Sequence, residues 1–300
     1  MQGASKRGGF TLIEMSIVLV IIGLIVGGIL VGRDLVRAAE VRATVTQIEK
    51  YSQAVNTFRN KYGYLPGDIP ATPASQFGFA ARGTACGQGD GNGIIAGAHG
   101  CWGHIQWGET GMFWVDLSFA GLIEGSYTTA NAVTQPTIDY SGTGLSLWFP
   151  QAKIGNGNYV YIWSAGSTIG GYSSIGINFF GISNISLMAG ASNLGKISST
   201  GNISVAQTYA IDAKIDDGQP QTGRVLAVFV NGDPVWSVPA GTTGIDTVVD
   251  TPTLGGVTGN VNPSKTTCYD NSNGTSATYQ YSLEENGGSG QNCALSFMFQ

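Results

Sequence analysis

The chain has 300 residues, a hydrophobic share of 42% and 46 glycines, about twice the usual ~7%. No Gly-X-Y period accompanies the glycine, which excludes collagen, and charged residues at 11% with this much apolar material exclude a disordered chain. A net charge of −5 and a pI near 4.9 exclude a general nucleic-acid binder.

The charge is divided along the chain. Residues 1–61 carry eight Lys/Arg against four acids (+4), and the remaining 239 carry six against fifteen (−9). The first part is expected at a membrane and the second outside the cytoplasm. Residues 10–31 form an apolar run of 22 broken by one charge, Glu14. As a helix this run spans the ~30 Å hydrocarbon layer. Lys6 and Arg7 precede it, so the positive-inside rule places residues 1–9 in the cytoplasm and the rest across the membrane. Arg33, Asp34 and Arg37 follow the run where a signal peptide would show a small-residue cleavage site. A plain signal anchor leaves Glu14 unexplained, because an unpaired carboxylate in lipid costs ~2.5 kcal/mol or more.

The residues around Glu14 supply an explanation. Lys6-Arg7-Gly8-Gly9-Phe10-Thr11-Leu12-Ile13-Glu14 resembles the prepilin leader of type IV pilins and type II secretion pseudopilins. The resemblance implies cleavage between Gly9 and Phe10 by a prepilin peptidase that also N-methylates the new terminus. It makes Glu14 the fifth residue of the processed chain. In that family the glutamate pairs with the N-terminal amine of a neighbouring subunit, which neutralises two charges that are costly in lipid. Gly23, Gly27, Gly28 and Gly32 read equally as ordinary small residues of a membrane helix or as a place where the helix unwinds on leaving the bilayer.

Val41, Val45, Ile48, Tyr51, Val55, Phe58 and Tyr62 follow at spacings of three and four, one apolar stripe at helical period. Gly63 and Pro66 end it. Residues 11–62 are thus expected to form one helix, membrane-spanning over 10–31 and amphipathic over 33–62. This too is the arrangement the resemblance implies. The remainder, 63–300, is expected to be an extracytoplasmic globular domain in which strands at 145–149, 159–163, 225–230 and 235–238 form a mainly antiparallel sheet. Turns are expected at Asn231-Gly232-Asp233 and at 155–158, with a helix at 109–122 and a looped tail over 243–290. The fold class is α+β: a long N-terminal helix packed on a Gly-rich β domain with disulfide-closed loops.

Cys86, Cys101, Cys268 and Cys293 allow three pairings. The export implied by topology makes disulfides the default, in the sequence-local couples Cys86 with Cys101 and Cys268 with Cys293. The second couple resembles the C-terminal disulfide loop of many pilins. Cys86, His99, Cys101 and His104 are an alternative set of zinc ligands, at a spacing that matches no compact finger. Asp212, Asp216 and Asp217 are candidate calcium ligands, since the resemblance includes pseudopilins that bind calcium, although salt bridges to Lys214 or Arg224 would use the same carboxylates. Asp90-Gly91-Asn92-Gly93 looks like half of a calcium loop or a tight turn. No catalytic motif is found, neither nucleophile elbow, phosphate loop nor His-Glu-x-x-His, and no enzyme is expected. Tryptophans and tyrosines read as core or as a sugar-binding face.

The expected function is therefore a structural subunit of a type IV pilus-like filament. The alternatives are a type II secretion pseudopilin and a membrane-anchored adhesin or lectin-like protein. The expected partners are the prepilin peptidase/N-methyltransferase, other copies or pilins, and inner-membrane assembly machinery. The expected location is the bacterial inner membrane with a periplasmic domain, then a surface filament.

Overall fold

A computed structural model describes residues 10–98, 103, 105–165, 176–190, 195–231 and 260–300. The chain divides into two units, Met1–Glu40 and Val41–Gln300. Helix α1, Leu12–Tyr62, is 51 residues long and belongs to both. In the first unit its large apolar side chains are exposed, from Leu12 at 87% to Val36 at 57%. Its most apolar window reaches a mean hydropathy of 2.8, and among the described residues it is the helix long and apolar enough to cross a membrane.

In the second unit α1 is amphipathic. Val41, Val45, Ile48, Val55 and Phe58 are buried, and Tyr51 and Tyr62 pack against the same core. Gly63 ends the helix with φ +82°, donating its N–H to the carbonyl of Arg59 at 2.8 Å. One polar residue of this stretch turns inward. Gln47 donates Nε2–H to the carbonyl of Gln151 (2.9 Å) and accepts the N–H of Lys153 (2.8 Å), stitching the helix to the chain ahead of the sheet.

The other helices are α2 (Ala71–Phe77), α3 (Glu109–Phe119) and α4 (Val205–Ile215). The strands are β1 (Tyr140–Ser141), β2 (Asn158–Ala165), β3 (Ile177–Met188), β4 (Ile197–Thr200), β5 (Ile203–Ser204), β6 (Val225–Leu226), β7 (Tyr269–Asp270), β8 (Gln280–Tyr281), β9 (Gln291–Cys293) and β10 (Leu295–Met298). The main sheet runs β1-β3-β10-β6, with β2 and β4 also paired to β3. Every strand pairing among the described residues is antiparallel. The fold is α+β.

The sheet separates two apolar cores. Val160, Ile162, Phe180 and Ile182 face the core shared with α1 and α3. Tyr159, Tyr161, Trp163 and Phe179 face a second core with Trp148 and Phe149. This is the period of two expected of strands, here buried on both sides. At the crowded centre Tyr161 lies opposite Gly181, where a Cβ would come within 2.3 Å of the tyrosine ring. Glycine is the residue that leaves this space.

Several expected elements differ. Residues 145–149 do not form a strand: Gly142–Leu147 is a 3-10 helix. Leu145, Trp148 and Phe149 are buried while Leu147 is 51% exposed, so the spacing of three and four turns the apolar side chains to one side, which alternation does not. The 225–230 strand shrinks to two residues. Ala227, Val228 and Val230 are buried, but the N–H of Val230 goes to the Tyr161 hydroxyl at 2.8 Å rather than to a ladder. The expected helix at 109–122 is α3, ended by positive φ at Gly121. The turn at 155–158 has positive φ at Gly155, Asn156 and Gly157. Strand 235–238, Gly232 and Asp233, and tail residues 243–259 lie outside the described residues. The described tail, 260–290, holds only the short β7 and β8 and two 3-10 turns.

Candidate functional site

At the start of α1, Thr11 donates its N–H (2.7 Å) and its hydroxyl (2.8 Å) to Oε2 of Glu14, while the Glu14 N–H donates to Thr11 Oγ1 at 3.3 Å. This is a reciprocal capping box, Thr-x-x-Glu, that satisfies donors the first helical turn leaves unpaired. The signal stood in the sequence as Thr11 and Glu14 ahead of an apolar run. Glu14 thus has a role within its own chain besides any role between chains. Phe10 is 80% exposed, one residue before the cap. Gly9 and the rest of residues 1–9 lie outside the described residues.

Two groups of acids converge in the globular unit. Asp212, Asp216 and Asp217 each place a carboxylate oxygen within 4.8 Å of the others, so the sequence-selected trio has the spacing to hold a cation such as calcium. Each carboxylate also serves the protein. Asp212, on α4, accepts the Tyr281 hydroxyl at 2.7 Å and the Gly218 N–H at 3.2 Å. Asp216 accepts the N–H groups of Arg224 and Val225. Asp217 accepts the Gln219 N–H (2.8 Å) and the Thr222 hydroxyl (2.6 Å). The only ion pair among the described residues lies elsewhere, so the alternative of salt bridges to Lys214 or Arg224 is not what is found. Helix α4 is not among the expected elements, although Ser204 caps it and exchanges hydrogen bonds with Gln207, a recognisable Ser-x-x-Gln start.

The second group is Asp68, Asp90 and Glu109, again within 4.8 Å. Asp90 belongs to a local Asp-Gly-Asn-Gly pattern, whereas Asp68 and Glu109 stand 22 and 19 residues from it, separations that carry no local signal. Both are buried. Asp68 accepts the N–H groups of Gly91 (2.7 Å) and Gly93 (2.8 Å). Glu109, in the first turn of α3, accepts those of Gly89 (2.9 Å), Asp90 (3.2 Å) and Ala96 (2.9 Å). Asn178 of β3 completes the cradle, accepting the Ile95 N–H and donating to the Gly93 carbonyl. The glycine-rich loop is therefore wound about two inward carboxylates, and Asp90-Gly91-Asn92-Gly93 acts as part of that turn.

Burial pushes Asp68 up to about 7 and, with the neighbouring charge of Asp68, Glu109 up to about 8; burial also raises Asp212 to about 7. The folded chain then holds protons that the unfolded chain has already released above the ordinary carboxylate range near ~4. Stability must fall as pH rises from about 4 to about 8. Thermal melts of the full chain in detergent are expected to give a higher Tm at pH 5.5 than at pH 8.5, and a flat or opposite profile would contradict this account.

Cys268 and Cys293 are bonded (Cα–Cα 5.0 Å), tying the segment before β7 to β9. Cys86 is also disulfide-bonded. It therefore lacks the thiolate that the zinc alternative requires. Cys101, His99 and His104 lie outside the described residues. Trp107, Trp114, Trp148 and Trp163 are all buried, so among the described tryptophans none forms a sugar-binding face.

Residues 4–30 match the model of a family described as the prokaryotic N-terminal methylation motif, the prepilin signal of type IV pilins and pseudopilins. The chain thus carries the N-terminal signal found on type IV pilin-like and pseudopilin proteins, a structural rather than enzymatic family, on a helix long and apolar enough to cross a membrane. No curated protein and no solved structure matches the chain.

Proposed function

We propose that this chain is a structural subunit of a type IV pilus-like filament. A prepilin peptidase cuts it between Gly9 and Phe10 and methylates the new amine; the chain then assembles with copies of itself or other pilins on inner-membrane machinery. The proposed organisation is a leader over 1–9, a helix over 10–62 (10–31 in the membrane, 33–62 amphipathic) and a periplasmic domain over 63–300. The leader is cytoplasmic, and the assembled filament reaches the cell surface.

The observation that carries this reading is the methylation motif at 4–30 set on a helix whose apolar side chains are exposed. Exposed surface of that kind needs lipid before assembly and neighbouring helices after it. The same motif serves secretion pseudopilins, and the location of the processed chain separates the two. Intact mass, measured without reduction on sheared surface filaments and on membranes, tests both. The pilus reading expects a chain lacking residues 1–9, carrying one methyl and lacking four thiol hydrogens, in the sheared fraction. The same species confined to membranes favours the pseudopilin, and an uncut chain refutes processing.

A further inference from the structure

The charge of the globular unit is divided unevenly along the chain. The 41–62 part of α1 carries Arg42, Lys50, Arg59 and Lys61 against Glu49, whereas residues 63–300 carry fifteen acids against six bases. Beside the helix lies an open groove of about 760 Å³. Its floor includes Tyr51, Leu122 and Ile123, and its rim carries the exposed cations Arg42, Lys50 and Lys153 with one acid, Glu124. None of these four charges is in an ion pair among the described residues, where the one pair is Arg82 with Asp116. Gln47 fixes the rim by holding the N–H of Lys153 against α1.

The matching patch is on other elements. Glu284 and Glu285 follow β8, with Glu284 exposed, and neither carboxylate accepts a hydrogen bond within the described residues, in contrast to Asp212, Asp216 and Asp217. Leu283 beside them is half-buried, so the acidic pair stands on a packed base.

We propose that the Glu284–Glu285 turn of a second copy of this chain docks in the Arg42–Lys50–Lys153 groove. Groove and turn are different surfaces, so the contact is head-to-tail, and such contacts continue into a helical array unless the rotation closes. The contact deepens the filament reading and rests on it. Exposed ion pairs add little affinity, so its expected part is to fix register and reject misaligned copies.

The test uses the full chain expressed with its assembly machinery. Light and heavy isotope-labelled chains are co-assembled and treated with a zero-length carboxyl-to-amine crosslinker. Mixed light–heavy peptides joining Lys50 or Lys153 to Glu284 or Glu285 are expected. The triple variant R42E/K50E/K153E is expected to lower assembly yield about tenfold or more, and the charge swap E284K/E285K in the same chain to restore much of it; unchanged melting temperatures show that the fold survives. Normal wild-type assembly with no mixed crosslink, or with full yield from the triple variant, overturns the contact and leaves the filament reading standing. A wild-type chain that never assembles overturns both. In mixed neutral and anionic vesicles holding the reconstituted chain, anionic lipid enriched around the wild type but not around the triple variant, at unchanged assembly yield, makes the groove a lipid-headgroup site, and the contact is then wrong.

Discussion

Glu14→Ala is expected to leave cleavage after Gly9 intact and to reduce filament yield by about fiftyfold or more, the equivalent of ~2.5 kcal/mol for one carboxylate-dependent pairing in lipid. The capping box makes a second variant necessary. Glu14 both closes the first helical turn with Thr11 and supplies a negative charge. Glu14→Gln keeps an acceptor for the Thr11 N–H, since glutamine serves in capping boxes, and removes only the charge. If the inter-subunit amine is the partner that matters, Gln and Ala should fail alike. If Gln assembles normally, the charge is dispensable and the residue is a cap. Filament mass in the sheared fraction, normalised to processed chain, is the measurement.

Arg82→Ala is expected to destabilise the globular unit by about 3–5 kcal/mol, because it strands a buried carboxylate. Asp116 is fully buried on α3 and receives Nη2 of Arg82 at 2.5 and 2.7 Å. The same carboxylate accepts the Gly67 N–H at 2.6 Å. Gly67 lies just past the end of α1, so this cluster ties the exit of the long helix to α3. At ~2–4 °C per kcal/mol for a domain of this size, the melting temperature should drop by about 10 °C. Arg82→Met combined with Asp116→Leu should cost less than Arg82→Ala alone, since no charge is then buried without a partner. The Gly67 N–H still loses its acceptor there, so complete recovery is not expected. A drop under ~2 °C for Arg82→Ala would show that water or another group reaches Asp116.

The part of this protein that sequence determined by itself is the part governed by neighbours along the chain. The apolar run with one acid, the stripe from Val41 to Tyr62, and the Gly63 and Pro66 stop are read from spacings of a few residues, and α1 follows them from Leu12 to Tyr62. Helical period and the cost of charge in lipid suffice for that. A run of aromatic and β-branched residues bounded by the 155–158 turn suffices for β2, which is buried on both faces. That signal fails at β3, whose run is interrupted by Gly181, Ser183, Asn184 and Ser186, although every strand of the main sheet except β6 pairs with it. It fails again at 145–149, where packing of Leu145, Trp148 and Phe149 into the second core imposes a helical turn.

The globular sites were decided by tertiary structure. Asp212, Asp216 and Asp217 were visible as a local cluster, but their work as acceptors for Tyr281, Gly218, Arg224 and Thr222 depends on where α4 lies. Asp68 and Glu109 meet only because the glycine-rich loop folds back over α3, and no pairwise spacing announces that. A buried carboxylate needs donors, and the chain supplies them as backbone N–H groups from residues distant in sequence. Local order in the sequence determined the helix and its membrane character. Long-range closure of buried polar groups, which only the packed domain can satisfy, decided which acids turn inward and which remain free on the surface.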